Sequence, residues 1–280
     1  MNKHLKLNPI LQPKKWLHSL HSHADTAIKN RVPHIIFLYW LIKIVSTTLG
    51  ETAADAFSMT LNLGYGVTIV IFIALFLALL AFKLAMKGYH PWVYWLTFTA
   101  SAIAGTAISD FIDRTLKLGY TWGSLVLITL LLITLILWYK KEKSINVEYI
   151  TTHAAESFYW IAFLFANTLG TAAGDFLAHD MGFGFMNSAI LLSAVLIVIA
   201  LLHFYTKISG VLLFWVAFVL TRPFGATFGD FLTKPFEQGG LNLGTFVSSL
   251  IIFVILFLGI TKETRLEKAR LANQKHGKWT

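Results

Sequence analysis

The sequence predicts an all-α integral membrane protein of eight transmembrane helices, built as four parallel two-helix repeats. Three observations predict it. The 280 residues are 56% hydrophobic and only 13% charged, with a mean hydropathy of +0.66, whereas a soluble domain carries roughly 25% charged residues. Eight apolar segments alternate between interrupted and plain. A tryptophan–glycine–aspartate pattern recurs four times at constant spacing. This composition excludes a soluble enzyme, a disordered chain and a disulfide-stapled secreted module. The absence of cysteine removes thiolate metal sites and disulfide chemistry.

Taken in order, residues 1–32 form a basic N-terminal segment without the apolar core of a cleavable signal, so the first span is expected to act as its own anchor. Within it, Lys14-Lys15-Trp16-Leu17-His18-Ser19-Leu20 has the pattern of a short interfacial helix. His18, His21, His23 and His34 are read as solvated, with metal binding the lesser alternative. Four segments, 66–82, 122–139, 181–202 and 241–261, contain no charge and suit a roughly 30 Å hydrocarbon core. Four others, 33–58, 91–114, 155–177 and 209–232, are apolar but carry ionisable residues or proline. Repeats are accordingly placed at 33–88, 89–143, 144–207 and 208–261, with a basic tail at 262–280.

An even number of spans puts both termini on one side, and the cations say which. Eighteen of the 23 lysines and arginines fall in the termini and the loops sharing their side, whereas only Arg114, Lys117 and Lys234 lie in the opposite loops. The positive-inside rule makes both termini cytoplasmic. The net charge of +9 is thus a topology signal, and neither tail is long enough for a folded nucleic-acid-binding domain. The expected partner is the lipid bilayer, with no nucleic acid and no cofactor; homo-oligomerisation stays open.

Trp40, Trp95, Trp160 and Trp215 each precede a glycine by ten residues (Gly50, Gly105, Gly170, Gly225), and an aspartate follows five later (Asp55, Asp110, Asp175, Asp230). An aromatic residue stands before each tryptophan, and a glycine-containing turn follows each aspartate. The two halves are offset by 120 residues. This pattern resembles a family of bacterial membrane-anchored proteins of uncharacterised role, built from four tandem two-helix repeats each marked by a tryptophan. The resemblance covers about residues 33–261. It implies eight helices and a bacterial inner (cytoplasmic) membrane location, and lends no biochemical activity.

Hairpin repeats that enter the membrane in one direction are related by an axis along its normal. Either four units surround one axis and bring four aspartates together, or two pairs face each other. The glycines, with Ala54, Ser109, Gly174 and Gly229 one turn on, form small-xxx-small faces for close helix packing. The aspartates are either capping groups or a site, because a carboxylate inside a span costs about 2.5–3.5 kcal/mol on insertion scales and normally faces a partner or cavity. Glu51 and Lys43 share the face of Asp55, Asn167 lies eight residues before Asp175, and Arg222, followed by Pro223, lies eight before Asp230. Carboxylates, threonine hydroxyls and carbonyls freed by proline are hard-cation or proton ligands. The expected site is therefore Asp55, Asp110, Asp175 and Asp230, as metal or ion ligands, tuned by Glu51, Asn167 and Arg222. The expected function is transport of a small cation, a divalent metal first and possibly proton-coupled. A channel or structural protein is the alternative. An enzyme ranks last, since the Gly-Asp pairs lack the partner motifs of an intramembrane aspartyl protease. The aromatic residues at the helix starts are expected to form an interfacial belt.

Overall fold

The computed structural model describes residues 31–147 and 150–275; the interfacial helix and the histidines at 18, 21 and 23 lie outside them. Eight long helices follow in order: α1 (Phe37–Asp55), α2 (Gly64–Ala85), α3 (Pro91–Asp110), α4 (Gly119–Glu142), α5 (His153–Asp175), α6 (Gly184–Tyr205), α7 (Gly210–Thr233) and α8 (Thr245–Lys275). Seven are long and apolar enough to cross a membrane. The exception to the expected eight is α1, whose Lys43, Glu51, Asp55 and four threonines or serines dilute its apolar character.

The odd-numbered helices form a closed inner ring, in which α1 packs on α3, α3 on α5, α5 on α7 and α7 again on α1. Each even-numbered helix packs on the odd helix of the next repeat: α2 on α3, α4 on α5, α6 on α7, and α8 back on α1. The ring is thus closed by the last helix of the chain docking on the first. The small residues explain the close approach. A Cβ at Gly50 would lie 2.6 Å from the Ala102 Cβ, and one at Gly105 would lie 3.0 Å from the Asn167 Cβ. Gly170 meets Arg222 and Gly225 meets Thr47 in the same way. Each glycine faces the residue three positions before the equivalent glycine in the next repeat, all the way round.

The hairpin turn is shared too. In the first three repeats the helix widens after the aspartate into a π turn, at Ala56–Thr60, Phe111–Thr115 and Phe176–Asp180. Two positive-φ residues then reverse the chain, the second always glycine: Gly64, Gly119, Gly184 and, in the fourth repeat, Gly244, with φ of 70–75°. Glycine adopts this left-handed conformation without the Cβ clash other residues suffer. The fourth repeat instead inserts a short 3-10 turn, Phe236–Gln238.

Two sequence expectations are corrected here. Most of the aromatic residues at the repeat starts do not form an interfacial belt: Tyr39, Tyr94, Trp95, Tyr159 and Trp160 are fully buried and Trp215 nearly so, inside one end of the ring, while Trp40 and Phe214 are half-buried. Residues 262–275 continue α8 rather than forming a separate tail. Glu263 on that extension accepts hydrogen bonds from the Tyr89 hydroxyl at 2.6 Å and from Trp95 Nε1. Two cations counted as topology signals also prove to be structural. Arg31 and Lys83 both pair with the fully buried Glu156 at the start of α5, the lysine at 2.8 Å.

Candidate functional site

Because the four repeats share one register, residues at equal distance from each aspartate lie in one layer across the ring. Sixteen residues before it stand Tyr39, Tyr94, Tyr159 and Phe214, where the Tyr94 and Tyr159 hydroxyls are hydrogen-bonded to each other. One turn on come Lys43, Phe98, Phe163 and Phe218. The phenylalanines pack edge to face, with Phe98–Phe163 centroids 4.2 Å apart and Phe163–Phe218 4.9 Å apart. The Lys43 ammonium fills the fourth place, 4.1 Å from the Phe218 centroid and 5.6 Å from that of Phe98. It donates to the Phe218 carbonyl at 2.8 Å and to the Thr221 hydroxyl. Although its spacing sets it on the Asp55 face, Lys43 lies three turns away from the carboxylates.

The middle layers hold a second polar cluster. Thr47, Ala102, Asn167 and Arg222 occupy one level, and Glu51, Thr106, Thr171 and Ala226 the next. Ala226 leaves room that the Arg222 guanidinium uses. It donates to Glu51 Oε2 at 3.3 Å and to the hydroxyls of Thr106 and Thr171, the latter at 2.8 Å. Glu51 also accepts from Thr106 at 3.1 Å and Thr171 at 3.4 Å. One buried ion pair therefore ties all four inner helices together. Asn167 is not among these groups. Its amide donates to Ser101 Oγ at 3.2 Å, and it joins α5 to α3.

The aspartate layer is not a cage of four converging carboxylates. All four are buried, but they are divided between two cations. Arg114 lies 3.3 Å from Asp110 and 3.4 Å from Asp175. Lys234 lies 3.1 Å from Asp230 and 2.6 Å from Asp55. Each cation stands four residues after its own aspartate and reaches across to the aspartate of the following repeat. The two bridges are related by the 120-residue offset, so a ring that is four-fold in its helices is two-fold in its aspartate bridges. The corresponding positions in repeats 1 and 3 are Met59 and His179. Burial disfavours the charge on Lys234, but Asp230 and Asp55 outweigh it and hold its ionisation above that of an ordinary lysine. Asp113, also buried, adds a further carboxylate beside the Arg114 bridge and accepts from Ser109 Oγ at 3.3 Å.

This geometry corrects two readings of the sequence. The aspartates are not caps: Asp55, Asp110 and Asp175, each at the start of a π turn, make no side-chain cap hydrogen bond. The metal-ligand set is also not assembled, because among the described residues no three acidic or histidine side chains group to hold a metal ion. The residues missed were Arg114 and Lys234, treated as loop charges. Their signal was present as a cation four residues after the aspartate in alternate repeats, spacing that places both on one helix face.

Four segments of the chain, 38–89, 93–144, 158–209 and 213–268, match the model of the family described as Repeat of Unknown Function (DUF347). They cover most of the chain, which belongs to that family. No curated protein and no solved structure matches it.

Proposed function

We propose that this member of the DUF347 repeat family is a multi-pass protein of the bacterial inner membrane that moves protons or small monovalent cations along the axis of its inner ring. The observation that carries the reading is the charge balance of the aspartate layer. With Asp113 counted beside the Arg114 bridge, five buried carboxylates stand with two cations, which leaves the Lys234 bridge one negative charge in excess and the Arg114 bridge more than one. An isolated buried charge is costly enough that a counter-charge or a proton normally cancels it. Each bridge therefore calls for at least one further positive charge, which protons or monovalent cations supply. Ionisable residues inside spans commonly mark such paths.

Membrane residence is supported by the seven long apolar helices and by where their surface lies. Leu77, Leu132, Ile197 and Leu258 on the even-numbered helices are exposed, and a soluble monomer rarely presents an apolar surface so extensive. The divalent-metal form of the cation reading loses ground to the monovalent one, since Arg114 and Lys234 already occupy the places beside the carboxylates. Cytoplasmic termini remain part of the proposal. The chain has no native cysteine, so single cysteines at Lys207 and Lys117 test it directly: an impermeant thiol reagent added outside the cell should label the second and not the first.

Transport is tested in proteoliposomes with an entrapped pH dye and with sodium, potassium and a divalent-metal panel, comparing the native protein with Asp175→Asn and Asp230→Asn. Flux of a proton or monovalent ion, lost in both folded variants, supports the reading. Absence of flux for every ion contradicts it and returns the weight to a structural role.

A further inference from the structure

The outer helices bring a second repeated position to the aromatic end of the ring. Nineteen residues after the positive-φ glycine of each turn stand Lys83, Trp138, His203 and Glu263. Three of them reach the inner helix two repeats further on. Lys83 of α2 pairs with Glu156 of α5, Trp138 of α4 packs edge to face on Trp215 of α7 with centroids 5.8 Å apart, and Glu263 of α8 accepts from Trp95 of α3. The same step points His203 of α6 at Ile36 and Trp40 of α1, the counterparts of Glu156 and of the two tryptophans. Here, however, His203, Ile36 and Trp40 line a cavity of about 770 Å³ between α6, α7 and α1. Lys83 and Trp138 are buried by their contacts, whereas His203 is exposed. One of four equivalent junctions is thus left open.

From this asymmetry we infer that the cavity is a binding site for one anionic phospholipid of the inner leaflet, with an acyl chain between the helices and the headgroup at the cytoplasmic mouth. The inference rests on the membrane placement proposed above and not on ion transport. Three features carry it. The volume lies within the roughly 300–1,000 Å³ of small-molecule sites. The walls are apolar: Phe37 and Phe204, 83% and 77% exposed, stand at the rim, and Ile197, Phe214 and Ala217 lie further in. Water is poorly held by such walls, and hydrocarbon supplies the contacts they lack. The third feature is charge. Asn146 and His203 put polar groups at the aromatic end of the cavity, and no described residue that lines it is acidic. Lys207 stands in the loop between Phe204 and Gly210, both of which line it. Lys140, Lys141 and Lys143, set around the single Glu142, lead into Asn146. Basic pockets between spans on the cytoplasmic side suit anionic headgroups.

The test uses lipids with brominated acyl chains, which quench a nearby fluorophore. Because the chain has no native cysteine, a single bimane label can be placed in proteoliposomes at Ala200→Cys, in the cavity, or at Val198→Cys, exposed outside it. Brominated phosphatidylglycerol should quench the Ala200 label at about a fifth of the mole fraction needed at Val198, and brominated phosphatidylcholine should show no such preference. Replacing both loop lysines, Lys143→Gln with Lys207→Gln, should abolish the advantage of the anionic lipid while leaving the melting temperature unchanged. Ala217→Trp, which fills the cavity from α7, should abolish the preference for Ala200 over Val198. The lysine pair lies in exposed loops, so its effect is read independently of whether Ala217→Trp folds. Equal quenching at the two positions overturns the inference, whether a second copy of the chain or residues 1–30 then cover the cavity. Equal action of the two lipids at Ala200 also overturns it. Quenching at neither position defeats the membrane placement as well.

Discussion

At one end of the inner ring four aspartates share two cations, and at the other three phenylalanines share their level with one lysine. The two ends are built on the same helices, in the same register, about 18 Å apart at 1.5 Å per residue over twelve residues. They nevertheless break the four-fold repeat differently. The aspartate end keeps its repeated residue in every copy and varies the partner, so that Arg114 and Lys234 convert four equivalent carboxylates into two bridges of like layout, the first with Asp113 beside it where the second has Thr233. The aromatic end varies the repeated residue itself, in one copy only. Duplication therefore leaves two kinds of asymmetry, one preserving a two-fold axis and one removing all symmetry.

The comparison can be broken most forcefully at the ring contacts both ends depend on. Gly170 faces Arg222 and Gly225 faces Thr47 with no room for a side chain. Gly170→Val or Gly225→Val should therefore leave little folded protein in detergent, measured as monodisperse yield, because overpacking costs about 1–3 kcal/mol or more where backbone lies behind the clash. Next in size is removal of one bridge cation. Lys234→Met leaves Asp55 and Asp230 facing each other buried, and should destabilise by about 3 kcal/mol in reversible unfolding. Adding Asp55→Asn to it should recover part of the loss. The two-fold account sharpens at the same step: Arg114→Met should cost a similar amount, and a large difference between the two would show that the bridges are not equivalent. A smaller effect is expected at Asn167, which joins α5 to Ser101 of α3 by a single neutral hydrogen bond. Asn167→Ala should cost about 1 kcal/mol and leave ion flux unchanged. Least of all, Trp122→Ala on the exposed face of α4 should change stability by less than about 0.5 kcal/mol.

The sequence carried the repeat register, the eight helices and the packing role of the glycines, because each is a local or strictly periodic property. Its failures are of one kind. Hydropathy does not distinguish an aromatic residue facing lipid from one facing another helix, so Trp95 and Trp160 were placed at an interface when they fill the ring. Charge counting treats every basic residue near a span end as a topology signal, yet Arg31 and Lys83 serve Glu156, and Arg114 and Lys234 serve the aspartates. The closure of α8 on α1 was not legible either, since periodicity within helices says nothing of which helices become neighbours. Of the two charge bridges, Lys234–Asp55 follows from the ring's closure, since it forms only where α7 of the last repeat meets α1 of the first.

The central claim is that the four aspartates act as two matched, cation-bridged halves of one ion path. It is tested most directly by measuring proton flux and melting temperature together for Asp55→Asn, Asp110→Asn, Asp175→Asn and Asp230→Asn in the same lipid. The account predicts that all four fold and lose at least about tenfold in flux, with Asp55 matching Asp175 and Asp110 matching Asp230, as residues 120 apart should. A folded variant that keeps native flux, or losses that do not pair across the 120-residue offset, would contradict it.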